Sequence, residues 1–441
     1  MMENERAVPA VPKGRDEHGQ KNVSSDRVPK DATQMSREES NTAEARVGAC
    51  APQGFRAAAV AAGIKEDGAL DVCVLASDQL GTAAAVFTTN RVQAAPVQVS
   101  QLHLTSPFAR AVVVTSGNAN AATGPAGRAL AVEVCETVAQ DLDCASHDVL
   151  LAQTGLIGVP LDAVLVCEGA REAARILSPA NGTAAAKAMM TTDTKPKTAV
   201  AEFSVDGVPV LLGGMTKGAG MIAPEMATML CVLTTDAAVA PAVLREALQG
   251  AVAETFNMIS IEGDMSTNDT VFLLANGASG AREISSTAHP AYPLLCQALR
   301  EVCAKLAQAM IRDGEGASKF VTVCVEGAAT LKDARLAARH VVGSILVKCS
   351  WAGEDPYWGR VLSAMGASGA HFEAERVAIS YGGVQVCAEG RAMEHDADRV
   401  ATHMKGAEIE ILAVLGDGPY GAIAWGCDLT REFVAINVET S

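Results

Sequence analysis

TKGAGMIAPEMATMLCVLTTDA, Thr216 to Ala237, joins a glycine-bearing loop to an apolar run that carries one hydroxyl. Lys217, Gly218 and Gly220 open the stretch, and Met226 to Leu233 is apolar except for Thr228. An apolar run of this length beside glycines predicts a buried strand entered from a sharply bending loop. A β-branched threonine suits a strand and its hydroxyl can bond a neighbouring carbonyl, so the plain reading of Thr228 is structural. The sharper reading makes Thr228 a nucleophile whose general base is its own α-amine, and an internal residue gains that amine only if the Ala227–Thr228 bond is cut. Attack of the Thr228 hydroxyl on the Ala227 carbonyl is the simplest route to the cut. The stretch by itself leaves both readings open.

The rest of the chain narrows the class. With 441 residues it can bury at least one large core, and 49% hydrophobic against 20% charged residues indicates a globular, enzyme-like composition. A net charge of −16 argues against a nucleic-acid partner, which would need phosphates neutralised by Lys and Arg. No apolar run of 18 residues and no charged-then-apolar leader occurs, so no membrane partner is expected and the cytoplasm is the expected location. The twelve cysteines are scattered singly without a CxxC pair, and no His stands at metal-ligand spacing. They are expected to be reduced and buried, and no metal site is expected.

Residues 1–50 contain no Leu, Ile, Phe, Tyr or Trp and are expected to form a disordered tail. Strands and amphipathic helices then alternate, the pattern of a mixed α/β protein. Ala111 to Val114 predicts a buried strand running into TSGNANAATG, Thr115 to Gly124, whose small turn-forming residues bring backbone amides into the open or simply make a tight turn. AQTGLIG, Ala152 to Gly158, is a second strand-end turn, offering the Thr154 hydroxyl beside the Gly155 amide as an oxyanion hole, with Thr123 and Gly124 as the fallback pair. Helices are predicted around Leu130, Val134 and Val138, over Ala163 to Leu177, from Pro241, and through Leu295, Leu299, Val302, Leu306 and Met310 up to Gly314. Single strands are predicted over Ala199 to Leu212, Arg376 to Cys387, Glu408 to Leu415 and Gly421 to Trp425.

Two apparent ligand motifs fail. SIEGDMSTNDTVFLLANG has Asp269 where a calcium loop needs Gly and Ala275 where it needs Glu. IRDGEGASKF, Ile311 to Phe320, lacks the GK[ST] of a phosphate loop and precedes its strand instead of following it. WAGEDPYWGR, Trp351 to Arg360, concentrates aromatic and charged residues that could form a subunit interface or a pocket wall.

In order and spacing, GFRAAAVAAGIK, SGNANAATG, QTGLIGVPL, MTTDTKPK, KGAGMIAPEMATMLCVLTTDA, GDMSTNDTVFLLANG, RDGEGASKF and GEDPYWGR resemble the bifunctional ornithine acetyltransferase family, or glutamate N-acetyltransferases, of arginine biosynthesis. The resemblance runs from about Pro52 to the C-terminus. It implies a self-cleaving, layered fold of the N-terminal-nucleophile kind, cut between Ala227 and Thr228 into an α chain (residues 51–227 after the tail) and a β chain (residues 228–441). Thr228 would then take the acetyl group of N2-acetylornithine and pass it to glutamate in a ping-pong reaction. Acetyl-CoA is a donor substrate for many such enzymes, and no resident cofactor is implied. The resemblance also implies oxyanion donors at Thr154 and Gly155, substrate contacts at Thr191, Lys217, Thr228, Glu315, Asn437 and Ser441, and a heterotetramer of two α and two β chains. Gln153 stands where the family usually has Ser, and the segment from Asn437 to Ser441 is one residue short, so Thr440 is an alternative to Ser441. An N-terminal-Thr amidohydrolase or aminopeptidase of a related self-cleaving fold is the alternative activity.

Overall fold

The computed structural model describes residues 46–223 and 229–439. The first sheet takes its strands from β1 (Phe55–Val60), β2 (Val72–Phe87), β3 (Phe108–Asn118), β4 (Val149–Leu156), β5 (Lys197–Val205), β6 (Val208–Lys217), β7 (Leu230–Thr235) and, after the short β8 (Ile259–Ser260), β9 (Thr270–Ala275). Its order is β4-β3-β2-β9-β7-β6-β5, with β1 on β2. Thus β7 and β9, a parallel pair from beyond Thr228, lie between β6 and β2 from before it. Both read as uninterrupted buried runs, LCVLTT and TVFLLA, as central parallel strands covered on both faces do.

Helices cover this sheet in layers. One face packs against α5 (Pro241–Glu254) and α6 (Tyr292–Arg312), where Leu244, Leu248, Leu299, Val302 and Leu306 share a core with Leu212, Leu233 and Leu273. A second core joins β1 to β4 with α1 (Ala95–His103), α2 (Gly124–Leu142) and α3 (Ala163–Arg175). A third gathers Leu75, Val112, Leu150, Leu230, Val232 and Phe272 around Ala185, Ala186 and Met189 of α4 (Gly182–Met189).

The second sheet comprises β10 (Phe320–Ala328), β11 (Ala378–Tyr381), β12 (Val384–Ala388), β13 (Arg391–Ala392), β14 (Glu408–Val414) and β15 (Tyr420–Cys427), in the order β13-β12-β11-β14-β10-β15-β8. Its core with α7 (Leu331–Gly343), α8 (Ile345–Ala352), α9 (Trp358–Ala367) and α10 (Ala397–Met404) is closed by the fully buried Trp351 and Tyr381. The GEDPYWGR segment therefore anchors the second core through the Trp351 preceding it, while Tyr357 is half exposed. The last described element is α11 (Arg431–Glu439).

Three expectations change. The single strand Ala199 to Leu212 is a hairpin, β5–β6, turning at Asp206–Gly207, where both residues take positive φ as a two-residue hairpin turn requires. Arg376 to Cys387 likewise splits at Gly382–Gly383 into β11 and β12. Gly48–Cys50, assigned to the tail, is a buried 3-10 turn whose Ala49 carbonyl accepts from the Thr234 hydroxyl at 2.8 Å; residues 1–45 lie outside the described residues. All twelve cysteines are free thiols, eight of them buried, and burial pushes the Cys50 thiol up to about 12, which keeps it protonated. Among the described residues no helix is long and apolar enough to cross a membrane, and no three His, Cys, Asp or Glu gather as a metal site.

Candidate active site

Thr154 and Gly155 end β4, Thr191 follows α4, Lys217 ends β6, Glu315 follows α6, and Asn437 lies on α11. These six residues, from widely separated parts of the chain, all line one cavity of about 680 Å³. Thr228, with Ala227, Thr440 and Ser441, lies outside the described residues. The buried Met229 donates its N–H to Asp269 Oδ1 at 2.8 Å at the head of β7. Thr123 and Gly124, the fallback oxyanion pair, line a separate cavity with Gln93 and Arg128, and the Thr123 hydroxyl is spent on Asn120 Oδ1 at 2.6 Å.

Hydrogen bonding aims these groups. Lys217, almost completely buried, donates from Nζ to Thr154 Oγ1 at 3.1 Å. A hydroxyl that accepts from an ammonium directs its own proton elsewhere, which makes Thr154 a donor to whatever occupies the cavity. Gly155 has φ +133, and a Cβ there would fall 2.2 Å from the carbonyl carbon of Gly117 in the paired strand β3. Only glycine brings the β4 turn this close to its neighbour. Gly220 has the converse part, since a Cβ on it would meet the Glu315 carboxyl carbon at 2.6 Å. Its bare Cα gives that carboxylate passage, and Asn437 Nδ2 donates to Glu315 Oε2 at 2.8 Å.

Asp193 ties two of these walls together. Its Oδ1 accepts from the Gly218 amide at 2.7 Å and from Lys197 Nζ at 2.6 Å, and its Oδ2 accepts from the Thr191 amide at 3.1 Å. Lys197 also reaches Asp313 Oδ2 at 2.5 Å. Burial alone would raise the Asp193 pKa, but the charges of Lys217 and Lys197 and the Gly218 amide outweigh it and hold the carboxyl below its ordinary range. Burial lowers the Lys217 pKa, against the pull of Asp193, Asp269 and Glu315. Burial drives the Asp269 carboxyl well above its ordinary range, despite the Met229 amide and the Lys217 charge.

The two strand-end turns seen in the sequence are joined here. Asn268 Nδ2 donates to the carbonyls of Ala119 and Gln153 at 2.7 and 2.8 Å, and Asn120 Nδ2 donates to Gln153 Oε1 at 2.9 Å. Gln153 Nε2 in turn donates to Thr115 Oγ1 at 3.1 Å. Gln153 thus fills the buried space between the turns while Thr154 and Gly155 face the cavity.

Glu262 holds the backbone at Ile222. Its Oε1 accepts from the Ile222 amide, while its Oε2 is buried with no hydrogen-bond partner among the described residues. Burial raises its pKa to about 7 from 4.5. Between those values the folded protein keeps a proton that the unfolded chain has released, so this group's contribution to stability is full below pH 4.5 and declines as pH rises through 7. Glu262→Gln keeps the amide acceptor without the charge, and should exceed the native protein in stability at pH 8 by on the order of 2 kcal/mol, with little difference at pH 4.5. Denaturant unfolding at both pH values measures this; an equal difference at the two would refute it.

Sequence reasoning passed over Asp71, Asp193 and Asn268 as position-setting groups, and Lys65, Ser266 and Thr267 as wall residues. Asp193 and Asn268 stood inside quoted motifs, but nothing in their spacing shows which backbone groups they hold. Asp71 carried no local signal at all.

The ArgJ family matches residues 56–440 of the chain. The chain is 48% identical over 393 residues, 88% of its length, to the arginine biosynthesis bifunctional protein ArgJ of Symbiobacterium thermophilum, of which 97% is covered. It is 43% identical over 395 residues, 88% of its length, to the protein of the same name from Dehalococcoides mccartyi, of which 96% is covered. The crystal structure of the Bacillus halodurans protein of that name is 35% identical and matches 47% of this chain and 98% of that one, with a TM-score of 0.46.

Proposed function

This chain belongs to the ArgJ family, and on that premise we propose that it transfers the acetyl group of N2-acetylornithine to glutamate, giving ornithine and N-acetylglutamate in arginine biosynthesis. The observation that carries the proposal is the convergence of Thr154, Gly155, Thr191, Lys217, Glu315 and Asn437 on one cavity.

The chemistry follows from the groups present. After cleavage of the Ala227–Thr228 bond, the free α-amine of Thr228 takes the proton of its own hydroxyl as that oxygen attacks the acetyl carbonyl. Thr154 and Gly155 donate to the oxyanion, Thr154 with the proton that Lys217 leaves free. The C–N bond breaks, ornithine leaves with the proton, and an acetyl ester remains on Thr228. The neutral amine of glutamate then attacks that ester and returns the hydroxyl. Lys217 suits the α-carboxylate that both amino acids share, and Glu315 suits the side-chain ammonium of ornithine. Thr191, Asn437 and Ser441 supply further substrate contacts. This sequence of steps asks for no resident cofactor or metal; acetyl-CoA would enter as a second acetyl donor to the same threonine. The working enzyme is a cytoplasmic heterotetramer of two α and two β chains.

Purified protein with acetylornithine and glutamate should form both products in equal amounts, and without glutamate should release ornithine only once per site. Undiminished ornithine release without glutamate would mark a hydrolase and overturn the proposal. Substituting acetyl-CoA for acetylornithine in the same assay tests the second donor. Thr154→Ala removes one oxyanion donor and should lower kcat roughly 10²–10³-fold with less effect on KM. An unchanged kcat would place the oxyanion hole elsewhere.

A further inference from the structure

The cavity has a second lysine. Lys65, on the loop between β1 and β2, lines it together with Lys217. That loop is built around one carboxylate: fully buried Asp71 accepts the backbone N–H groups of Ala62 at 2.7 Å, Gly63 at 3.0 Å, Ile64 at 2.7 Å and Lys65 at 3.1 Å. Four amides on one buried carboxylate fix the loop before any ligand arrives. The Lys65 stem runs beside the oxyanion turn, since a Cβ on Gly117 would lie 3.2 Å from Lys65 Cγ and Gly117 is the strand partner of Gly155. Its ammonium donates to the Leu70 carbonyl at 2.9 Å, which leaves two of its three protons for a ligand.

The two amino acids of the proposed reaction make opposite demands at their far ends. The ornithine nitrogen and the glutamate side-chain oxygens stand the same number of bonds from Cα, yet one end is cationic and the other anionic. Lys217 is committed to the group both substrates share, and Glu315, which acts on Lys217, would repel a second carboxylate. Asp193 acts on both lysines, whereas Glu315 acts on Lys217, and the Lys65 stem lies beside Gly117 while Lys217 Nζ sits on the Thr154 hydroxyl. Resting on the acetyl-transfer reading above, we infer that Lys65, held by Asp71, binds the side-chain carboxylate of the acceptor glutamate and sets the enzyme's preference for an acidic acceptor.

The ping-pong course separates this from a structural part, because the first half-reaction never meets glutamate. Processed, full-length Lys65→Met should release ornithine from acetylornithine in its single-turnover burst at the native rate. Its KM for glutamate should rise roughly 10- to 100-fold, the size expected for losing a hydrogen bond to a charged group. With glutamine as acceptor it should match the native protein, so preference for glutamate over glutamine falls by the same factor. Lys65→Arg, which keeps the charge, should restore part of that preference. Unchanged preference in Lys65→Met would overturn the inference, as would a first half-reaction weakened as much as the second. If the native protein itself releases no ornithine from acetylornithine, the acetyl-transfer reading has failed instead.

Discussion

Thr228→Ala is expected to run as one band of 45.4 kDa on a denaturing gel, where the native protein gives two fragments, and to lose acetyl transfer on the order of 10⁴- to 10⁶-fold. Both losses come from one atom. In the proposed mechanism the Thr228 hydroxyl attacks the Ala227 carbonyl during maturation, and the same oxygen later carries the acetyl group. Without the cut there is no free α-amine to act as base, so restoring a hydroxyl to an uncut chain would not be enough. Thr228→Ser keeps the hydroxyl and should retain part of both processing and turnover. The fold itself should survive in the alanine variant, because Met229 keeps its hydrogen bond to Asp269 and β7 keeps its place between β6 and β9. Circular dichroism alongside the gel separates loss of chemistry from loss of structure. Substantial acetyl transfer by Thr228→Ala would remove the nucleophile assignment.

Gly155→Ala is expected to do more harm than its single methyl group suggests. The added carbon would fall 2.2 Å from the Gly117 carbonyl carbon and 2.4 Å from the Asn118 nitrogen, both backbone atoms of the adjacent strand. No rotamer change relieves a clash between backbones, and φ +133 is itself strained for an L side chain. The ends of β3 and β4 must separate, at about 3 kcal/mol or more. Separation moves the Gly155 amide and the Thr154 hydroxyl together, so kcat should fall further than in Thr154→Ala. Denaturant unfolding and steady-state kinetics on the same preparation check this. Native stability together with native kcat would show that the turn has room the present geometry denies.

What the sequence disclosed follows how local each cause is. Pro241 with Leu244, Leu248 and Val252 predicted α5, because one helix face repeats within the segment itself. The apolar run after Thr228 predicted β7 for the same reason. The β5–β6 hairpin was missed although Asp206–Gly207 is a strong local turn signal, because alternation continues through it and masks the reversal. The cavity was half legible. Thr154, Gly155 and Lys217 sat in motifs whose chemistry was visible, yet no spacing rule places the end of β4 against the end of β6. Asp71 is the extreme case: a lone Asp before an apolar strand looks like surface, and its four amide partners exist only once the loop has folded around it.

The strand order of the first sheet bears on the life of the molecule after the proposed cut. With the proposed cut at Ala227–Thr228, strands β7 and β9 belong to the β chain, and they are clasped between β6 and β2 of the α chain, with Lys217 to Leu212 facing Leu230 to Thr235 on one seam and Thr82 to Phe87 facing Ala275 to Thr270 on the other. The fragments therefore cannot part while the sheet is intact, and losing either strips a buried strand pair from the core. Before the cut, folding is a one-molecule event, independent of concentration. Afterwards the reverse reaction yields two molecules, so re-forming the protein becomes a bimolecular encounter that dilution disfavours. Maturation by that cut would act as a ratchet, with the enzyme's endurance set by how slowly it opens, since what opens in dilute solution would not close again.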